Sequence, residues 1–215
     1  MIHRYFIKTP WWVKKFFSSY VWSIPSTRKI VYLTFDDGPH PTITPWVLAQ
    51  LKEYNAKATF FCVGNNVVHH PDVYSRIIDE GHAVGNHTHG HLNGWKTATK
   101  NYLADISAAS QIIVTGLFRP PYGKITKAQA RAIAGAMNVA TARVIMWDVL
   151  SADFDTSISA RRCAYHVLKN VSPGSIVVFH DSEKAFLNLE SALPLVLSVL
   201  GKKGYRFEKI VMGGL

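Results

Sequence analysis

The chain has 215 residues, 48% of them hydrophobic and 18% charged, which is enough apolar sequence for one domain around one core and excludes a disordered chain. Its formal charge is +10, but +6 of that falls on Arg4, Lys8, Lys14, Lys15, Arg28 and Lys29, with no acid among the first 29 residues. The remaining body is only weakly basic and has no arginine-rich or RNA-binding aromatic motif, so nucleic acid is excluded as the expected partner. Two cysteines, Cys62 and Cys163, do not make a disulfide framework.

The first element is a basic, aromatic arm over residues 1–27, carrying Tyr5, Phe6, Trp11, Trp12, Phe16, Phe17, Tyr20 and Trp22. Lys14 and Lys15 ahead of "FFSSYVWSIPS" imitate a secretory signal, but serines dilute the apolar region and no small-x-small cleavage site follows. The arm is therefore expected either to pack over the domain or, through residues 4–22, to lie in a bilayer interface. No stretch of about 20 predominantly apolar residues is read anywhere, so no transmembrane helix is expected. A cytoplasmic or membrane-peripheral location is expected over secretion.

From residue 28 to 215 a single domain is expected, in which β-type runs alternate with segments of helical period. "KIVYLTF" reads as a strand; "TPWVLAQLKEYNA" follows as a helix, with Thr44 as N-cap, Pro45 at its first position and Val47, Leu48, Leu51 and Tyr54 on one stripe. "KATFFCVG" is the next strand, "PDVYSRIIDEG" a helix ending at Gly81, "HAVGNH" a third strand, and 99–115 a helix with Tyr102, Ile106, Ala109 and Ile113 in register. After "LFRPPYG" come a helix near 126–137, strand "RVIMWDV", helix 159–170, strand "SIVVFHD", helix 185–200 and a last strand "YRFEKI". Strict alternation with continuous apolar strands predicts an α/β fold, a distorted or incomplete (β/α)7-8 barrel, with an open doubly wound sheet as the alternative. Both place chemistry at the carboxyl ends of the strands.

At those ends stand Asp36 and Asp37, "HTHGH" from His87 to His91, "RPPYG" from Arg119, "WDVLSADF" from Trp147 and "FHD" from Phe179. Asp-Asp-Gly-Pro alone is a good turn, and a lone His180 is ordinary structure. Three histidines in five residues are harder to ascribe to packing. His87 and His91, four apart, can reach one ion from a single helical turn, and a carboxylate from another strand end would complete a His, His, Asp set open to water or substrate. Neighbouring residues of an extended chain point different ways, so one of Asp36 and Asp37 can bind metal while the other faces a water that the ion has acidified to a pKa of about 7. His180 across the site could protonate a leaving amine or alcohol.

In this order, "TFDDGP", "HTHGH", "RPPYG", "WDVLSADF" and "VFH" resemble the five motifs of the polysaccharide deacetylase family, carbohydrate esterase family 4. The resemblance implies a distorted (β/α) barrel that removes acetyl groups from N-acetylated sugars of peptidoglycan or chitin type, or in some members from O-acetylated xylan. It also implies a divalent metal, often zinc, with cobalt or nickel as alternatives. Residue by residue, it makes Asp36 the general base, Asp37 with His87 and His91 the metal ligands, and Arg119 the holder of the base. Tyr122 becomes an oxyanion donor through its backbone N–H, His180 the general acid, Asp153 the acid that orients the catalytic groups, and Thr88 a local brace. Leu150, Asp153 and Phe154 depart from the Asp-x-x-Asp-Trp pattern of many relatives, which predicts a smaller aromatic wall, and Val178 replaces a Leu. A carbohydrate-binding protein on the same fold is the non-catalytic alternative.

Overall fold

A computed structural model describes residues 5–214; Arg4, counted with the arm above, lies outside them. In chain order the elements are α1 (Trp11–Phe16), β1 (Ile30–Asp36), α2 (Ile43–Glu53), β2 (Ala58–Cys62), α3 (Gly64–His69), α4 (Pro71–Asp79), β3 (Ala83–Asn86), α5 (Thr99–Ser110), β4 (Leu117–Phe118), α6 (Lys127–Ala136), β5 (Arg143–Val144), β6 (Val149–Leu150), α7 (Ala160–Asn170), β7 (Ile176–His180), α8 (Glu183–Lys202) and β8 (Arg206–Phe207). Every strand pairing is parallel, in the order β5-β4-β3-β2-β1-β7-β6 with β8 beside β1, and the sheet curls into the incomplete (β/α) barrel expected from the sequence.

β1 is buried at all seven positions because both its faces are covered. Its period of two sorts the side chains. Val31, Leu33 and Phe35 join the helix-packed core, where Phe35 stacks between Phe60 and Phe179 at 5.1 and 6.0 Å. Ile30 and Tyr32 pack with Phe61, Leu117, Ile145 and Ile176 in a separate cluster. The alternation then puts Thr34 and Asp36 on that second face, at the carboxyl end, where one buried Arg119 amino group reaches both.

Four local expectations change. Thr44 is not the N-cap of α2; Thr42 precedes the helix, and the Thr44 hydroxyl instead donates to Asp181 at 2.5 Å while accepting the His40 N–H. The run 143–149 is not one strand. Ile145 still bonds to Phe118, but Asp148 bonds to Ile176, so the chain leaves the β4 side of the sheet for the β7 side and pairing breaks into β5 and β6. A short helix, α3, follows β2 where none was read. Finally, α8 is long and apolar enough by length and composition to cross a membrane, contrary to the expectation that no such stretch exists. Eight of its residues, from Ala185 to Leu200, are buried, and Asn188 donates to the carbonyls of Asp153 and Asp155, so its apolar face is that of a core helix.

The arm lies across the seam between the two edge strands. Ile7 accepts from Leu150, Thr9 donates to Asp148, and Val21 donates to Val144 and accepts from Met146, so the arm pairs with β6 first and with the β5 side afterwards. Trp22 and Ile24 are buried. Lys8 and Lys14 both reach the buried carboxylate of Asp148, which also accepts from Ser175 at 2.5 Å.

Candidate active site

Asp36 ends β1, and its Oδ1 accepts from Arg119 at 2.6 Å. The guanidinium is fully buried and makes three further bonds, to Thr34 Oγ1, the Ile145 carbonyl and the Met146 carbonyl, with its carbon 4.0 Å above the Phe61 ring. One planar five-donor fork thus fixes the carboxylate and ties β1 to the chain beyond β5, a task for which a lysine lacks the donors.

Asp37 aims the other way because its backbone has φ +83°, outside the extended region of β1. The turn that follows is held by Asp181, whose Oδ1 accepts the Gly38 N–H at 3.0 Å. Gly38 has to be glycine: a Cβ there would stand 2.1 Å from Asp181 Oδ2. Burial and the nearby Asp37 push the Asp181 carboxyl up to about 7, against the hydrogen bonds from Thr44 and Gly38.

His87 and His91 do converge with Asp37, but not from a helical turn. They sit in a loop after β3 in which Thr88 and His91 have φ of +64° and +54°. The loop is braced by Asn86 Oδ1 accepting the Thr88 N–H, by Thr88 Oγ1 accepting the Leu92 N–H, and by Asp105 accepting from His89 and Gly90. The His91 Nε2 is 3.1 Å and the His87 Nε2 3.7 Å from Asp37 Oδ1. His87 Nδ1 faces the Arg119 carbonyl at 2.7 Å, so it must carry the proton and leave the Nε2 lone pair toward Asp37. Burial pushes His87 down to about 4, so it stays neutral, as a ligand must be. Burial would raise Asp37, but the His91 hydrogen bond and the nearby His180 and His87 outweigh it and hold the carboxyl below its usual range. The three donor atoms lie within 4.8 Å of one another, a spacing and an N, N, O chemistry that fit a divalent ion such as zinc. His89 is outside this group.

Across the cleft, His180 ends β7. Its Nδ1 meets Asp153 Oδ1 at 2.8 Å, and its backbone N–H donates to Asp153 Oδ2 at 2.7 Å. Burial pulls its pKa down, but the Asp153 charge and hydrogen bond, helped by Asp37 and Asp36, carry it up to about 9. Tyr122 has φ +59° in a single 3-10 turn, Pro121–Gly123. Since Pro120 and Pro121 carry no N–H, Tyr122 has the first backbone donor after Arg119.

Asp36, Asp37, His87, His91, Tyr122 and His180 line one cleft of about 530 Å³, with Arg119 and Asp153 standing behind Asp36 and His180. Its walls also include Tyr5, Trp147, Leu150, Phe154, Ser182 and Lys184. Tyr5 was not anticipated. It comes from the arm, meets Phe154 edge to face at 5.5 Å and donates to Asp155 at 2.5 Å, so it adds aromatic surface to the wall that Leu150 and Phe154 leave small. Nothing local to its sequence marks it, because the contact spans 150 residues.

Residues 23–142, which carry Asp36, Asp37, His87, His91 and Arg119 of this site, match the family profile described as polysaccharide deacetylase. The chain belongs to that family. A peptidoglycan-N-acetylglucosamine deacetylase of Bacillus cereus is 34% identical over 192 residues, covering 86% of this chain and 88% of the relative. A chitooligosaccharide deacetylase of Azorhizobium caulinodans is 34% identical over 165 residues, covering 74% and 76%. The crystal structure of the Bc1960 peptidoglycan N-acetylglucosamine deacetylase, in complex with a naphthalenyl N-oxidanyl-benzamide, superposes with a TM-score of 0.82 at 34% identity over 94% of this chain and 95% of that one.

Proposed function

We propose that the chain is a divalent-metal-dependent hydrolase that removes acetyl groups from N-acetylated amino sugars of a peptidoglycan- or chitin-like glycan. One observation carries the reading: Asp36 and His180, each locked by its own buried partner, flank the Asp37, His87 and His91 cluster within a single cleft. A protein that only binds glycan needs neither locked group. The names of the B. cereus and A. caulinodans relatives support the substrate class.

Asp37, His87 and His91 would hold the ion. When bound, it supplies Lewis-acid polarisation of the acetyl carbonyl and a more acidic water. Zinc suits two imidazoles and one carboxylate, and cobalt or nickel would accept the same donors.

Asp36 takes the proton of the attacking water, and Arg119 holds that carboxylate in place by donating to its Oδ1. The Tyr122 N–H donates to the oxygen that gains charge as the carbon becomes tetrahedral, an interaction worth roughly 3 kcal/mol where such donors have been removed. His180 then delivers a proton from Nε2, the ring nitrogen that Asp153 leaves unengaged, to the departing sugar nitrogen. Tyr5, Trp147 and Phe154 give the sugar rings an apolar wall.

The reading is tested by stripping the purified protein with a chelator, reloading it with zinc and measuring acetate release from N-acetylglucosamine oligomers, peptidoglycan and acetylated xylan. Release from the amino-sugar substrates is expected, and Asp36→Asn is expected to bind zinc in calorimetry while losing turnover. Release from acetylated xylan alone would move the assignment to an O-acetyl esterase. No acetate from any substrate, with glycan binding unchanged in His180→Ala, would move it to a non-catalytic binding protein.

A further inference from the structure

Helix α1 has no buried residue, and its rings face outward: Trp11 is 74% and Phe16 80% exposed, with Phe6, Trp12 and Phe17 exposed as well. Trp12 and Phe16 are four apart and share a helix face, and Phe6 meets Trp12 edge to face at 6.1 Å. Phe6, Trp12 and Phe16 therefore form one surface, continued by Phe17 beside Phe16 and flanked by the neighbouring Trp11, the kind that marks an interaction site rather than scattered exposed side chains.

The cations of the arm divide into two groups. Lys8 and Lys14 turn inward onto Asp148 and anchor the helix to the barrel. Lys15 stays outside, and three more exposed cations come from other elements. Lys127 and Arg131 of α6 and Arg143 of β5 line, with Phe16, Phe17 and Tyr20, a surface groove of about 370 Å³ that has no acidic residue in its lining. Lys15, Lys127, Arg131 and Arg143 form no ion pair among the described residues.

We propose that this face docks the protein on an anionic lipid bilayer, with Trp11, Trp12 and Phe16 entering at headgroup level and the cationic groove receiving lipid phosphates. Charge complementarity selects this occupant. A second copy meeting the surface face to face would set the same four cations of each chain against one another with no acid between them. A neutral glycan would use the rings and leave the cations idle. Tryptophan beside lysine and arginine is the composition that sits at an anionic membrane interface. The surface lies outside the catalytic cleft, so the proposal stands apart from the hydrolase reading.

The test is co-sedimentation with vesicles of phosphatidylglycerol and phosphatidylcholine in equal parts, set against phosphatidylcholine alone. The wild-type chain is expected to bind the mixed vesicles more tightly and to be released by added salt. Trp11→Ser combined with Phe16→Ser is expected to lose about tenfold or more on either lipid. Arg131→Glu is expected to lose about fivefold on the anionic vesicles and nothing on the neutral ones. All three positions are exposed, so the variants should keep the wild-type unfolding midpoint and acetate release from soluble oligomers. Absent vesicle binding by the wild type, or binding that survives the Trp11 and Phe16 changes, overturns the proposal. So does a wild-type dimer in sedimentation velocity that the double variant turns into a monomer, because that assigns the face to a second copy.

Discussion

Both oxygens of Asp153 engage His180: Oδ1 faces its ring Nδ1 at 2.8 Å and Oδ2 accepts its backbone N–H at 2.7 Å. The carboxylate is fully buried and also accepts from Ser151 and the Phe154 N–H. It fixes where His180 sits, which ring nitrogen it turns to the cleft and how tightly it holds its proton. Asp153→Asn keeps the shape but removes the charge that stabilises the protonated ring. The expected result is a loss of about 10²- to 10⁴-fold in kcat with little change in KM, measured on N-acetylglucosamine oligomers.

Arg119→Ala leaves Asp36 buried beside an empty fork. The uncompensated carboxylate should lower stability by about 3–5 kcal/mol in urea unfolding. Adding Asp36→Ala should restore part of that loss, since the second change removes the stranded charge; a purely additive pair would contradict the coupling.

Gly38→Ala drives a methyl group into Asp181, 2.1 Å from Oδ2 where the Cβ would stand. The turn that separates Asp36 from Asp37 has to move. A drop of about 2 kcal/mol or more in stability is expected, together with weaker zinc binding by calorimetry, because Asp37 leaves its place opposite His87 and His91.

Asp148 holds the arm in a pH-dependent way. Burial pushes its carboxyl up, but hydrogen bonds from Lys14, Lys8 and Ser175 outweigh that and hold it below the ordinary carboxylate range. A folded-state value below the unfolded one means that the stabilisation is complete above about pH 4 and is lost as pH falls through the lower, folded value. Tryptophan fluorescence should therefore report arm release on acidification below about pH 4. Asp148→Asn should abolish that acid step and loosen the arm already at neutral pH, by about 1–2 kcal/mol given the partial exposure of both lysines.

Tyr5 tests whether the arm serves the cleft. Tyr5→Ala removes a ring from the wall without touching base, acid or metal ligands, so KM should rise about five- to tenfold with kcat changed far less. Tyr5→Phe keeps the ring against Phe154 but drops the bond to Asp155, and should fall between the two.

Much of the site was legible because its chemistry is local in the chain. Asp36 and Asp37 follow an apolar run, Gly38 and Pro39 end it, and each of the other motifs likewise closes a β-type run. Strand ends are where a parallel barrel exposes side chains, so the reactive residue types and their places could be read together. The helix boundaries were less legible, since Thr44 would cap α2 by propensity but its hydroxyl is claimed by Asp181, 137 residues away.

The alternation of strands with helices, the residues able to ligate a metal or move protons, and the crowding of aromatics and cations in the arm all follow from residue order alone. How they meet follows from the folded chain. It split 143–149 between two sheet neighbours, set His87 and His91 on one point through left-handed backbone rather than a helical turn, and brought Tyr5 to the cleft. It also turned Lys8 and Lys14 inward while leaving Trp11 and Phe16 outside. The difference is one of range: propensity and period act over a few residues, whereas curling the sheet sets up contacts between groups more than 100 residues apart, and only that decides which face of each element is covered.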